Sequence, residues 1–289
     1  MWAAFAFLSA FFAGVTSILV KCGIKQTGSN VATAIRTIVV LIFACIMVFI
    51  VGAWDTLPYI DRKSWLFLIL SGAATGASWL FYYKALQLGD INKVVSVDKS
   101  STVLTFILAF IVLQEVVTWL KGIGAVLISV GTFLMIQKKS VDESGGVEKK
   151  SRAWLFYALL SAVFASVQAI LSKLGINGVE SNLGTAIRTG VVLVMSWLMV
   201  FVTKEHKTIK YITKKELLLI CLSGIATGAS WLCYYKALRD GVTSAVVAID
   251  KLSILVTVAF SYVVFKEKLT LKSGMGLLSI VGGTICMLF

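Results

Sequence analysis

Residues 71–99 read SGAATGASWLFYYKALQLGDINKVVSVDK, and the stretch returns 152 residues later, at 223–251, as SGIATGASWLCYYKALRDGVTSAVVAIDK. Nineteen of the 29 positions are identical. Each copy holds small residues at helical spacing, an aromatic cluster, one Lys late in an apolar run and one Asp early in the next. An ionisable group inside such a run is costly and marks a functional position. The same offset runs outward without a gap. Residues 9–21 (SAFFAGVTSILVK) match 161–173 (SAVFASVQAILSK), and Asn30 and 33–37 (TAIRT) match Asn182 and 185–189. Glu115, Gly122 and Gly131 match Glu267, Gly274 and Gly283. The chain is a tandem duplication.

Composition sets the class. Of 289 residues, 58% are apolar and only 14% charged, against about 25% charged in soluble chains; the mean hydropathy is +0.93. Apolar runs fall at about 2–20, 31–52, 65–88, 92–113 and 119–137, then at about 153–172, 183–203, 216–238, 242–264 and 271–289. Each is close to the length that crosses a bilayer core. The sequence predicts an all-α membrane protein of ten transmembrane helices, divided into repeats at 1–137 and 153–289 by a polar, charge-rich linker at 138–152. The start, MWAAFAFLSAFFAG, has no charged segment ahead of its apolar run and does not read as a removable leader. Its match to the second copy assigns it to the fold.

Five spans per repeat is an odd number. A second copy must then enter the membrane from the opposite side, so the two five-helix repeats are expected to be inverted about an axis in the membrane plane. In such folds the substrate site lies between the halves, near mid-membrane.

Several function classes drop out. The net charge of +13 resides mostly in short connections, where it orients the chain and meets anionic lipid headgroups, so nucleic acid is not expected as a partner. Cys22, Cys45, Cys221, Cys233 and Cys286 have no paired spacing and read as small apolar filler. The single His, His206, excludes a His-based metal site. No nucleophile–base pair or phosphate-cradling loop suggests an enzyme, and no cofactor or metal is expected.

The third and fourth spans of each copy carry the candidate site. Gly72 and Gly76, like Gly224 and Gly228, have the spacing that lets helix backbones approach closely. A second face carries Ser71, Thr75, Ser78 and Tyr82, matched by Ser223, Thr227, Ser230 and Tyr234. Such a stripe is expected to face the bundle interior or a cavity. Trp79, Tyr82 and Tyr83, with Trp231, Tyr234 and Tyr235, fit an interfacial belt or a cavity wall, and their place late in the span points to the belt. Asp98, Ser101 and Thr105 share a helical face, as do Asp250, Ser253 and Thr257. A carboxyl whose burial and cationic neighbours pull in opposite directions can bind a proton, a cation or a substrate amine. Lys21, Arg36, Lys84 and Asp98 lie toward one membrane face, and Lys173, Arg188, Lys236 and Asp250 toward the other. Pairing of Lys84 or Arg36 with Asp98 and snorkelling of Lys99 are the structural alternative. One carboxylate among several cations suits an anionic or zwitterionic ligand. Glu115 and Glu267 precede the fifth and tenth spans and read as helix caps.

The chain resembles the EamA type of the drug/metabolite transporter superfamily along nearly its whole length. The residues that carry the resemblance are SWLFYYKALQLGD, VDKSS and LQE in the first half and SWLCYYKALRDG, IDKLS and FKE in the second. It implies ten helices in two inverted repeats, a central cavity and alternating access. It also implies export of small metabolites, often amino acids, frequently coupled to protons. Small multidrug relatives use a Glu inside the first helix, and neither Leu8 to Val20 nor Leu160 to Ser172 contains an acid. That leaves Asp98 and Asp250 as coupling candidates.

The expectation is a secondary transporter of a small polar metabolite, an amino acid or similar zwitterion, in the inner (cytoplasmic) membrane, as a monomer or homodimer with the proton gradient as driving force. Its candidate binding or coupling residues are Asp98, Asp250, Arg36, Arg188, Lys84, Lys236, Ser78, Ser230, Trp79, Trp231, Tyr83, Tyr235, Ser101 and Ser253. A lipid-linked carrier flippase and a non-transporting membrane scaffold are the alternatives. The basic residues concentrate after the odd-numbered spans, which places those connections in the cytoplasm and both termini outside; relatives in the superfamily usually keep both termini in the cytoplasm.

Overall fold

The computed structural model describes residues 1–23, 28–88, 94, 97, 100–116, 118–135, 153–265 and 270–288. Among them are eleven α-helices and no strand: α1 (Trp2–Gly23), α2 (Ser29–Val51), α3 (Arg62–Leu88), α4 (Ser101–Leu113), α5 (Trp119–Met135), α6 (Ala153–Ile176), α7 (Ser181–Val202), α8 (Lys214–Asp240), α9 (Thr243–Asp250), α10 (Ser253–Phe265) and α11 (Leu271–Leu288). Short 3-10 turns at Ala53–Tyr59 and Glu205–Tyr211 follow α2 and α7 at the 152-residue offset. The linker at 138–152 lies outside the described residues.

Eight stretches are long and apolar enough to cross a membrane, and Ser101–Leu113 and Trp119–Leu134 are shorter apolar helices. The chain is a multi-pass membrane protein. Its outer surface carries large apolar side chains such as Phe49, Ile50, Ile111, Val194 and Val263, while Ala, Ser and Thr fill much of the interior. That inversion is what a lipid solvent produces. Lipid tails are as apolar as Leu, so helices associate through close backbone approach and hydroxyl hydrogen bonds.

The contacts cross between the halves. Helix α1 packs on α8 and α3 on α6, α2 faces α7, and α5 faces α11. Ser230 Oγ donates to Ser9 O (3.0 Å), and Ser78 Oγ donates to Ser161 O (3.0 Å), the same bond at the 152-residue offset with the halves exchanged. A Cβ at Gly72 would meet Val191 and Arg188 O, and one at Gly224 would meet Val39 and Arg36 O. The close approach predicted for these glycines is present in both copies. Helices α5 and α11 cross backbone to backbone. A Cβ at Gly124 would fall 2.6 Å from Gly283 O, and one at Gly131 would fall 2.5 Å from Gly276 O. Rising numbers on one helix meet falling numbers on the other, so the pair is antiparallel.

The fourth span departs from the sequence expectation. The run at 242–264 is not one helix but two, α9 and α10, with Lys251 and Leu252 between them. Leu252 N donates to Ile249 O (2.8 Å) and Leu255 N to Leu252 O (2.9 Å), three residues back rather than four. The matched positions of the first copy do the same: Ser100 N donates to Val97 O (3.0 Å) and Val103 N to Ser100 O (3.0 Å). Tightening of this kind in mid-run marks a hinge. The Ala248 carbonyl, in the last turn of α9, accepts from Lys251 N (3.1 Å) and lies 3.2 Å from Thr284 Oγ1, whose hydroxyl also reaches Ile280 O (2.8 Å).

Candidate functional site

A cavity of about 340 Å³ opens where the two halves meet. Helix α3 supplies Thr75, Ser78 and Trp79 to its wall, and α8 supplies Ser230, Trp231, Tyr234 and Tyr235. Helix α1 adds Ser9 and Ala13, and α6 adds Ala165, Gln168 and Ala169. The hinges of the fourth spans supply the rest: Ser101, Thr102 and Thr105 from α4, and Val247, Asp250 and Lys251 beside the end of α9. Trp79, Trp231, Tyr234 and Tyr235 therefore line a cavity, whereas Tyr82 packs in an apolar cluster with Val97, Trp154 and Tyr157.

Arg188 dominates the chemistry of the wall. It lies on α7, is 3% exposed and lines the cavity. Its Nη2 donates to Thr75 Oγ1 (2.6 Å) and to Gln168 Oε1 (2.7 Å). The guanidinium carbon sits 5.4 Å from the Trp231 ring centre and 5.0 Å from that of Tyr235, a cation–π arrangement on two sides. Nε and Nη1 find no hydrogen-bond partner among the described residues. Among the described residues, the groups that bond to this cation or stack on it, Thr75, Gln168, Trp231 and Tyr235, are neutral. A buried cation whose direct hydrogen-bond and ring contacts are neutral attracts an anionic ligand into a low-dielectric site.

Two helix ends border the cavity as well. Ser101 and Thr102, in the first turn of α4, lie on the same wall. Asp250 ends α9, at the negative end of that helix, with Lys251 following. Anion-favouring and cation-favouring elements thus border one small volume.

The other candidates separate. Ser78, Ser230, Trp79, Trp231, Tyr235, Ser101, Arg188 and Asp250 are on the wall. Arg36 is half-buried and, with Lys84, Lys236 and Ser253, is not among the wall residues. Lys84 is exposed, Lys236 pairs with Asp240 across one turn (2.9 Å), and the Ser253 carbonyl accepts from Thr257 Oγ1 (3.1 Å). Asp98 and the side chain of Tyr83 lie outside the described residues. Gln168 was missed, although a mid-span Gln where the first copy has Thr16 is a readable break in the repeat.

Two groups read as site or own-helix features instead bolt one corner of the bundle. Lys173 Nζ donates to the carbonyls of Leu238 (2.5 Å), Arg239 (3.0 Å) and Gly241 (2.7 Å) at the end of α8. Glu115 accepts from Thr243 N (2.6 Å), Ser244 N (3.1 Å) and Ser244 Oγ (2.7 Å) at the start of α9. Glu115 is a cap, as expected, but of a helix in the other half. Glu267 lies outside the described residues. The four cysteines whose side chains are described, Cys45, Cys221, Cys233 and Cys286, are free, and no cluster of potential metal ligands occurs among the described residues.

Comparison with known proteins agrees with this architecture. A sequence model of the EamA-like transporter family matches residues 1–137 and again 152–289. An uncharacterized transporter in the cobO 3' region of Sinorhizobium sp is 41% identical over 134 residues, which is 46% of this chain and 95% of that protein. A crystal structure of a protein 16% identical in sequence superimposes with a TM-score of 0.76, covering 99% of this chain and 95% of its own. At that identity the likeness speaks to the fold alone.

Proposed function

The chain belongs to the EamA-like transporter family, and from that premise we propose that it is a secondary active transporter of a small polar metabolite, an amino acid or related zwitterion. It works by alternating access in the cytoplasmic membrane and exports its substrate at the expense of the proton gradient. The observation that carries this reading is Arg188, a cation buried on a cavity wall among neutral partners while Asp250 borders the same space. A carboxylate completes the coordination of Arg188, and an amine finds Asp250.

Ten spans in two inverted repeats are part of this proposal. It is supported by the antiparallel crossing of α5 and α11, in which Gly124 and Gly131 of the first copy meet Gly283 and Gly276, their counterparts in exchanged order. The paired hinges at Ser100 and Leu252 let each half move the wall nearest it.

Proton coupling is tested by imposing a pH gradient on proteoliposomes loaded with labelled amino acids. Gradient-driven movement is expected to be abolished by a protonophore. In the Asp98→Asn, Asp250→Asn double variant, uptake should become independent of pH. Unchanged transport and pH dependence in that variant would remove both carboxylates from the coupling step.

A flippase for a lipid-linked carrier is the second reading. It is favoured by an apolar groove of about 390 Å³ lined by Trp54, Trp65, Ile69, Leu183 and Val194 among others, which an acyl chain fits. The groove shares no wall residue with the Arg188 cavity. A lipid-linked sugar copurifying in stoichiometric amount would promote this reading over the first.

A further inference from the structure

We infer that Gln168 makes the site one-sided: it presents Arg188, and not the sequence counterpart Arg36, as the anchor for the carboxylate of the carried metabolite. The inference rests on the transporter reading above and adds to it a positioning residue and a fixed orientation of the substrate.

The duplicated sequence offers two equivalent arginines, but the structure uses them differently. Arg188 is on the cavity wall and Arg36 is not. The second copy differs from the first at the residue beneath that arginine, where Gln168 replaces Thr16. Thr16 is short and turns back on its own helix. Its Oγ1 donates to Phe12 O (2.9 Å) and lies 3.3 Å from Thr227 Oγ1. Gln168 reaches across to Arg188, and its Oε1 accepts from Nη2 at 2.7 Å. Thr75 accepts from the same nitrogen while its own hydroxyl donates to Ser71 O (3.0 Å). Both donors of Nη2 are thereby used, and those of Nε and Nη1 are left over from the five of a guanidinium.

The choice of an amide is what matters. A neutral acceptor fixes the guanidinium without cancelling its charge, whereas a carboxylate at the same place would form a buried ion pair and leave little field for a ligand. Gln168 therefore holds the arginine and leaves its charge for the substrate. A carboxylate drawn to Arg188 sets one end of the ligand, and the amine end then falls to the remaining wall.

The test uses the near-isosteric Gln168→Glu. A merely structural Gln168 would tolerate this change or gain from it, because the new ion pair stabilises the fold. A positioning role predicts the opposite for transport. The wild type and variant are reconstituted, and counterflow is measured for the L-amino acids and for their amides. We expect an unchanged or raised melting temperature, together with a half-saturation concentration for the acid higher by on the order of tenfold, the equivalent of one charge-assisted hydrogen bond. The preference of the wild type for acid over amide should vanish. Gln168→Thr, which installs the residue of the first copy, should weaken the same preference and decides the matter if the Glu variant does not fold. Acid preference and half-saturation retained in the folded variants would overturn the inference while leaving the transporter reading intact. A wild type that exchanges no amino acid would instead overturn that reading, and this inference with it.

Discussion

At the scale of single residues, ionisable groups in apolar runs were the readable signal, and it led to Arg188 and Asp250. Their partners were not readable. Helical periodicity tells which residues share a face, but not which helix lies opposite. Thr75 was legible as part of a polar stripe, yet its bond to Arg188 joins α3 to α7. Gln168 was visible only as a departure from the repeat, and its meaning depends on the arginine that it reaches. A backbone detail behaves similarly. Gly52 closes α2 with φ +70, and the matched residue of the second copy, Lys204, adopts φ +59. That left-handed conformation strains any residue with a Cβ. Lys204→Gly is expected to stabilise the protein by roughly 0.5 kcal/mol, the strain relieved less the entropy that glycine adds to the unfolded chain. Thermal unfolding in detergent measures this directly, and a lower melting temperature would show that the Lys204 side chain makes a compensating contact.

At the scale of elements, the helices emerged close to their predicted bounds because each apolar run has bilayer length and polar ends. The break in the fourth span did not, since neither Gly nor Pro marks residues 243–265. The break lies where Asp250 and Lys251 meet the cavity, a tertiary setting that no local residue pattern announces. The same limit applies to helix caps. Thr118 and Thr270 cap their own helices, accepting from Lys121 N (3.3 Å) and Ser273 N (3.2 Å), and such local caps are written in adjacent residues. Glu115 caps α9 from 128 positions away, which no local pattern announces. Glu115→Ala removes three bonds from two unsatisfied amides and a hydroxyl. It is expected to cost about 1–2 kcal/mol, read as a lower melting temperature. Glu115→Gln should recover part of the loss, because one amide oxygen still accepts. Full stability in the Ala variant would show that water or lipid satisfies the start of α9 equally well.

At the scale of the whole molecule, the duplication was legible from arithmetic alone, and the proposal of five spans per copy follows from the apolar runs within it. The crossing of α5 and α11 agrees with the inverted arrangement that this arithmetic implies. Orientation in the membrane follows from charge rather than from packing. The 3-10 turns at Ala53–Tyr59 and Glu205–Tyr211 occupy matched positions, so inversion predicts that they emerge on opposite sides. Asp55→Cys should react with an impermeant maleimide from outside the cell, and Lys207→Cys only after permeabilisation, if the basic connections are cytoplasmic. Labelling of both from one side would rule out the inverted repeat, and exchange of the two results would reverse the orientation without touching it.

The central claim is that the Arg188 cavity carries a zwitterion across the membrane, and counterflow in proteoliposomes tests it without any imposed gradient. Vesicles preloaded with a single unlabelled L-amino acid and diluted into a trace of the labelled form should accumulate label transiently for at least one member of the panel. Arg188→Lys should suppress that accumulation, because a lysine cannot hold Thr75 and Gln168 together while lying against two rings. Wild-type vesicles that never exceed protein-free controls for any amino acid would contradict the account.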